Sequence, residues 1–293
     1  MKLSHTVFAL PFALAAMAIA ARDNRGWPGW RIFLLILAAM FCARTCAMAF
    51  NRIVDRKFDA ANPRTANRHL PAGQITLASA VTLCVLSGLG LIVSAWFLNP
   101  VCFYLSPVAL FFICFYSLTK RFTDYTHVFL GIALALAPIG AWLAVKGGDL
   151  VLWPMRDSFL LALLLALVVV LWLTGFDLIY ALQDYDFDRK HGLRSLVVAW
   201  GPQNALRAAF LAHMAMWLLL AVFGLLARFR GVAFYLGLGL ILASLLLEHL
   251  IARRRSLGWV QNSFFRLNAL ISTIFLVVTL VEVVFPDFFR IAR

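Results

Sequence analysis

The chain has 293 residues, of which 63% are hydrophobic and only 13% are charged. A soluble domain of this length needs far more polar surface, so the composition excludes a soluble enzyme and predicts a polytopic membrane protein. The net charge is +13. In a membrane protein such an excess reflects orientation and attraction to anionic lipid, and we therefore expect no nucleic-acid partner.

Nine segments are apolar enough to form membrane-spanning helices, each of which needs ~20 mostly apolar residues. They are roughly His5–Ala21, Ile32–Phe50, Ile75–Phe97, Val101–Leu118, Thr126–Val145, Phe159–Leu182, Ala205–Ala227, Val232–Ile251 and Phe264–Phe285. The first segment has an alternative interpretation as a signal peptide, because Lys2 precedes it and small residues end it. No linker or soluble insert separates the segments, so we predict one all-α domain over residues 1–293.

A polar stretch, NRIVDRKFDAANPRTANRHLPAG, follows the second segment. Asn51, Asp55 and Asp59 are spaced four apart, which on a helix places all three side chains on one face. Two carboxylates and an amide oxygen suit Mg²⁺, which is usually held by one or two carboxylates plus substrate phosphates. Arg64 and Arg68 follow and can bind phosphate oxygens. The simpler alternative is a charged loop that carries salt bridges and no chemistry.

A second polar stretch, FDLIYALQDYDFDRKHGLRS, ends the sixth segment. Asp177, Tyr180, Asp184 and Asp188 share one helical face, whereas Asp186 points elsewhere. Six of the 13 acidic residues lie in the two polar stretches, and acids at the end of a membrane helix are costly, so this clustering indicates a site. Two facing carboxylate pairs, one from each stretch, can bind Mg²⁺ ions and clamp a diphosphate between them.

Three cations outside the two stretches are further candidates. Lys120 and Arg121 follow the fourth segment on the same side of the membrane, where they can neutralise a diphosphate or simply anchor the helix end. Arg44 lies inside the second segment, seven residues before Asn51 and so on its face. An arginine at that depth is a functional candidate, and pairing with Asp177 is the structural alternative.

Other polar residues in the apolar segments receive structural interpretations. Glu248 and His249, near the end of the eighth segment, are expected to snorkel to the membrane surface or to pair locally. The five cysteines have no partners that complete a zinc pattern, so we expect them to be small buried residues. They are Cys42, Cys46, Cys84, Cys102 and Cys114.

Lysine and arginine predict the orientation. The N-terminus and the connections after even-numbered segments carry more of them than the opposite side, which favours a cytoplasmic location for the polar loops. These cations are Lys2, Arg52, Arg56, Lys57, Arg64, Arg68, Lys120, Arg121, Arg189, Lys190, Arg194, Arg253, Arg254 and Arg255.

Both polar stretches resemble motifs of the UbiA superfamily of intramembrane aromatic prenyltransferases. The first resembles N-x-x-x-D-x-x-x-D followed by R-T-x-x-R and L-P-x-G, and the second resembles D-x-x-Y-x-x-x-D-x-x-x-D. Residues 116–142 and HTVFALPFA at residues 5–13 are similar to the 4-hydroxybenzoate polyprenyltransferase branch. One departure is His69, where many members have proline; we expect it to affect the shape of the loop more than the chemistry.

The resemblance implies a nine-helix bundle around a central cavity, with Mg²⁺ as cofactor. It also implies transfer of a polyprenyl group from polyprenyl diphosphate to an aromatic acid, with 4-hydroxybenzoate the leading acceptor and a dihydroxynaphthoate the alternative. The product would serve ubiquinone or menaquinone synthesis at a bacterial inner membrane, and no obligatory protein partner is expected. The implied metal ligands are Asp55, Asp59, Asp184, Asp188 and Asn51. The implied catalytic residues are the same four aspartates with Tyr180. The implied substrate-binding residues are Asn51, Arg44, Lys120, Arg121, Arg64, Arg68 and Asp177.

Two other classes of protein compete with this interpretation. A secondary transporter also places acids in membrane helices, but here the acids gather at one membrane face and no inverted repeat is evident. An alcohol phosphatidyltransferase would require a D-G-x-x-A-R run, which the sequence lacks.

Overall fold

The computed structural model describes residues 6–147, 157–253 and 264–286. Its helices are α1 (Thr6–Ala20), α2 (Trp30–Ala61), α3 (Leu77–Leu98), α4 (Pro100–Phe115), α5 (Thr126–Lys146), α6 (Asp157–Ala181), α7 (Tyr185–Lys190), α8 (Leu196–Leu226), α9 (Val232–Arg253) and α10 (Phe265–Val284). Short 3₁₀ turns span Arg22–Asn24, Tyr116–Arg121 and Leu182–Asp184. Lys2, His5, Arg254 and Arg255, used in the predictions above, lie outside the described residues.

The all-α prediction is confirmed, and a helix occupies each of the nine predicted segments within the described ranges. Eight spans are long and apolar enough to cross a membrane. The first predicted segment, which is not among these eight, corresponds to α1, and α1 is described over 15 residues. The second polar stretch is less regular than predicted, because α6 ends at Ala181 and a 3₁₀ turn leads into the short α7.

The N-terminal helix α1 lies in the middle of the bundle, against α5 and α10. Ala13, Ala15 and Ala18 are fully buried, and these small side chains allow neighbouring helices to approach closely. Phe12 fills the space between helices, with ring centroids 5.1 Å from Trp172 of α6 and 5.0 Å from Phe275 of α10. This core joins the two halves of the chain.

The second helix is longer than predicted. It runs unbroken for 32 residues, so the first polar stretch continues a membrane helix up to Ala61. At 1.5 Å per residue it is about 48 Å long, which exceeds the ~30 Å hydrocarbon layer. The residues from Asn51 to Asp59 are therefore held rigidly in helical register.

Close contact between α5 and α6 depends on a glycine. A Cβ atom at Gly131 would lie 2.8 Å from the carbonyl oxygen of Val170, which is too close for any side chain. The two helices therefore approach backbone to backbone at this level. This contact fixes α6, and with it the second polar stretch, against α5.

Of the two expectations for Glu248 and His249, the structure contradicts snorkelling to the membrane surface and shows pairing. Glu248 is fully buried and accepts a hydrogen bond from Asn268 Nδ2 at 3.0 Å. The ring nitrogens of His249 and the fully buried His213 are 2.9 Å apart. Each side chain finds a partner on a neighbouring helix, because a polar group buried in the bundle is stable only when it is hydrogen-bonded.

Candidate active site

A cavity of about 800 Å³ opens between α2, α4, α5 and α6. One end is polar, and the other is lined by apolar side chains such as Met40 and Leu98. All twelve candidate residues line this cavity, although they come from four separate parts of the chain. They are Arg44, Asn51, Asp55, Asp59, Arg64, Arg68, Lys120, Arg121, Asp177, Tyr180, Asp184 and Asp188.

The first wall of the polar end is the face of α2 that carries the predicted triplet. Asn51 Nδ2 donates to Asp55 Oδ2 at 2.9 Å, which confirms the four-residue stacking. Arg121 Nη2 lies 3.1 Å from Asp55 Oδ1. Asp59 is buried, and its Oδ1 accepts from Arg68 Nη1 at 2.6 Å. Both carboxylates of this wall are thus neutralised by arginines from outside their own turn of helix.

The loop after α2 folds back over the cavity. Thr65 Oγ1 donates to the carbonyl oxygen of Asp59 at 2.9 Å, which satisfies a free carbonyl at the helix end. The Asn62 side chain accepts from the backbone N–H of Arg64 at 3.0 Å. These two bonds set the turn so that Arg64 reaches the second wall.

The second wall comes from the end of α6, the 3₁₀ turn and α7. Arg64 grips Asp184 with two donors, Nε at 2.8 Å from Oδ1 and Nη2 against Oδ2, and its Nη1 donates to the Tyr180 hydroxyl at 2.9 Å. Lys120 Nζ lies 3.2 Å from Oδ2 of the buried Asp188. Asp177, Tyr180, Asp184 and Asp188 still line one cavity, as predicted, although a 3₁₀ turn interrupts the helix between them.

The charge of Arg64 is secured by this geometry. Burial lowers the pKa of the guanidinium, but the hydrogen bonds with Asp184 and Tyr180 outweigh burial and raise the pKa above its ordinary value. Arg64 is therefore a permanent cation that ties the loop after α2 to the second wall.

Arg44 occupies a different position in the cavity. Its Nη2 is buried and has no hydrogen-bond partner within the described residues. Within the described part of the chain, the structure shows no pairing of Arg44 with Asp177; Asp177 Oδ2 instead lies 2.6 Å from Nδ1 of the fully buried His127. A buried donor without a partner is costly, so Arg44 is suited to an anionic group that enters the cavity.

The carboxylates of the two walls suit divalent cations that are bound partly by the protein and partly by a diphosphate. Among the described residues, no three His, Cys, Asp or Glu side chains are placed to bind one ion by themselves. Each wall instead offers two carboxylates with cations beside them. Mg²⁺ commonly takes one or two carboxylates and completes its shell with water and phosphate oxygens, so the residues present fit it.

Sequence reasoning missed three residues of the site. Asn62 Nδ2 donates to Asp184 Oδ1 at 3.0 Å, and its position three residues after Asp59 was the available signal. Tyr116 lines the cavity four residues before Lys120, a helical spacing that could have revealed it. His127 had no such signal, because its partner lies 50 residues away.

Comparisons with known proteins identify the class of enzyme. The profile of the UbiA prenyltransferase family matches residues 9–270. A 4-hydroxybenzoate octaprenyltransferase from Tolumonas auensis is 31% identical over 246 residues, which cover 84% of this chain and 82% of the relative. The protein is a multi-pass membrane prenyltransferase, as the motifs predicted, and the transporter and phosphatidyltransferase alternatives are set aside.

Solved structures of UbiA homologues are similar to this chain in fold, and one of them is also similar in sequence. A UbiA homologue from Aeropyrum pernix K1, in its apo form, is 31% identical, with a TM-score of 0.83 over 96% of this chain and 99% of its own. A homologue from Archaeoglobus fulgidus bound to GPP and Mg²⁺ has a TM-score of 0.64 over 96% of this chain and 99% of its own, at 20% identity, which shows the shared fold alone. The chain belongs to the UbiA prenyltransferase family.

Proposed function

We propose that this prenyltransferase moves a polyprenyl group from polyprenyl diphosphate to 4-hydroxybenzoate, with Mg²⁺, in the synthesis of a respiratory quinone. The observation that carries the proposal is one cavity with paired acids and cations at its polar end and apolar walls beyond. The relative from Tolumonas auensis, named a 4-hydroxybenzoate octaprenyltransferase, supports the acceptor. A dihydroxynaphthoate, as used for menaquinone, is the alternative acceptor.

At the polar end, the acids and cations that pair with each other bind the metal and the diphosphate instead when the prenyl donor enters. Asp55 and Asp59 on one wall, with Asp184 and Asp188 on the other, hold the metal, and Asn51 assists the first wall. The cations that now neutralise these acids then turn to the phosphate oxygens, where charge-assisted hydrogen bonds are strong. They are Arg64, Arg68, Lys120 and Arg121. When bound, Mg²⁺ neutralises charge on the departing diphosphate.

The remaining groups position the two carbon partners. The apolar walls surround the prenyl tail and keep water from the allylic carbocation that forms when the C–O bond breaks. Arg44 binds the acceptor carboxylate, and Asp177 and Tyr180, which line the same cavity, help to position the two substrates. The ring carbon ortho to the hydroxyl then bonds to the prenyl carbon, and the same ring carbon loses its proton, which restores the aromatic ring.

The cellular setting follows from the charge pattern and the reaction. We place the protein in a bacterial inner membrane with the polar end of the cavity facing the cytoplasm, where a diphosphate product is released. We treat residues 1–293 as one domain that works without an obligatory protein partner.

The test is an activity assay on purified protein in lipid. Farnesyl diphosphate and Mg²⁺ are supplied with 4-hydroxybenzoate or with 1,4-dihydroxy-2-naphthoate, and an EDTA sample serves as control. We expect a prenylated 4-hydroxybenzoate that disappears with EDTA and returns with added Mg²⁺. Exclusive prenylation of the naphthoate would replace the acceptor, and turnover that persists in EDTA would overturn the metal assignment.

A pair of aspartates tests the metal site within the same assay. Asp184→Ala should abolish turnover, because it removes a carboxylate that lines the cavity. Asp186→Ala is the matched control, since Asp186 lies two residues away but is exposed. Near-normal turnover by the folded Asp184→Ala variant would contradict the assignment of this wall.

A further inference from the structure

One glycine in the apolar part of the cavity has no packing role. A Cβ atom built at Gly140 of α5 meets no other atom within 4 Å, whereas Gly131 on the same helix is pressed against α6. Gly140 is exposed and lines the cavity, although the next residues, Ala141 and Trp142, are buried. A glycine lowers helix stability compared with alanine, so one without a packing contact calls for another explanation.

Gly140 lies deep below the polar end. Thr126 marks the polar end on α5, because its hydroxyl is 2.7 Å from that of Thr119, next to Lys120. Gly140 is 14 residues further along the helix, which at 1.5 Å per residue is about 21 Å. On α2, Met40 lines the cavity 15 residues before Asp55, or about 22 Å away. The cavity therefore extends about 20 Å from the carboxylates to the level of Gly140.

The depth of Gly140 below the carboxylates can be compared with the extended length of a prenyl tail. A peptide residue has three backbone bonds and spans about 3.5 Å when extended, so an isoprene unit with four chain bonds spans about 4.5 Å. A farnesyl tail of three units then reaches about 14 Å and ends above Gly140. A tail of five or more units spans about 22 Å or more and has to pass it.

We propose that Gly140 is a specificity-determining residue that leaves room for long prenyl tails, so the natural donor carries five or more isoprene units. The proposal rests on the proposed function, since it concerns the tail of the same diphosphate donor. The missing side chain leaves open space in the apolar part of the cavity, which residues of α2 also line. A Cβ atom here meets no neighbouring helix, so a larger side chain at this position would begin in that open space.

The experiment compares short and long donors with Gly140→Phe. We expect kcat/KM for farnesyl diphosphate to stay within about twofold of the wild type and that for octaprenyl diphosphate to fall by about tenfold or more. Gly239→Phe is the matched control, because Gly239 also has open space around it but faces outward from α9, away from the cavity. Gly140→Leu provides a second variant if Gly140→Phe does not fold.

Two outcomes would overturn the proposal. Unchanged use of octaprenyl diphosphate would mean that the tail leaves the cavity between helices before it reaches Gly140. Equal losses with both donors would mean that Gly140 supports the site itself. The rise in melting temperature that each donor causes with Mg²⁺, measured without acceptor, also tests whether Gly140→Phe weakens binding of octaprenyl diphosphate more than binding of farnesyl diphosphate. A wild type that binds both donors but prenylates neither acid refutes the proposed acceptors, and the length test still stands.

Discussion

Individual side chains at the polar end are held by opposite charges. Asp59 and Asp188 are buried, and each has a cation within 3.2 Å. A buried charge that loses its partner is strongly destabilising, which explains why the acids and the cations are equally dense here. Arg44 is the exception, because its buried Nη2 has no partner within the described ranges.

Replacement of Arg44 tests its assignment to the acceptor. Arg44→Ala should raise the KM for 4-hydroxybenzoate by about tenfold or more, since a hydrogen bond to a charged group is worth ~1.5–3 kcal/mol. The KM for the prenyl diphosphate should change by less than about twofold. Steady-state kinetics with each substrate varied in turn measure both constants.

Arg31→Ala is the control for this experiment. Arg31 lies on the same helix but donates to the carbonyl oxygen of Phe97 at the other end of the bundle, so neither constant should move. Equal increases for acceptor and donor in Arg44→Ala would assign Arg44 a structural role.

At the scale of helices, buried polar contacts join the second half of the bundle. Asn268 of α10 accepts from Trp172 Nε1 of α6 at 2.9 Å and donates to Glu248 of α9. His213 of α8 contacts the carbonyl oxygen of Trp172 at 3.1 Å. Because Trp172 lies five residues before Asp177 on α6, these contacts fix the helix that carries the second wall.

The central position of Asn268 makes it the test of this arrangement. Asn268→Leu should lower the free energy of unfolding by about 2 kcal/mol, because it removes the buried hydrogen bonds that Asn268 makes with Trp172 Nε1 and Glu248 Oε2. Thermal unfolding in detergent measures the loss. Thr273→Val serves as control, since Thr273 is exposed and bonds only within its own helix. Equal midpoints for the two variants would show that the buried contacts contribute little.

At the scale of the whole molecule, orientation decides where the diphosphate is released. Asn67 is exposed in the loop at the polar end, and Asn24 is exposed at the opposite end of α2. We expect Asn67→Cys to react with a membrane-impermeant maleimide in inverted vesicles and Asn24→Cys to react in intact spheroplasts. The wild type controls for the five native cysteines, which lie in apolar helices. The reverse pattern would place the polar end outside the cytoplasm.

Local features of the sequence predict the class of the molecule and most of the residues that line the candidate site. Apolar segments of membrane length predict helices, because backbone groups in lipid must be satisfied within the segment. The spacing of Asn51, Asp55 and Asp59 predicts one face, since i and i+4 are neighbours on any helix. Both inferences are local, and both hold in the structure.

Which groups meet across the cavity depends on how the helices pack. Arg64 and Asp184 are 120 residues apart, and no local pattern indicates that they pair. The same holds for His127 with Asp177, and for the buried Glu248, for which the sequence left both snorkelling and local pairing open. Helix packing sets these partners, because each buried polar group must find a hydrogen bond among side chains that other helices bring to the same depth.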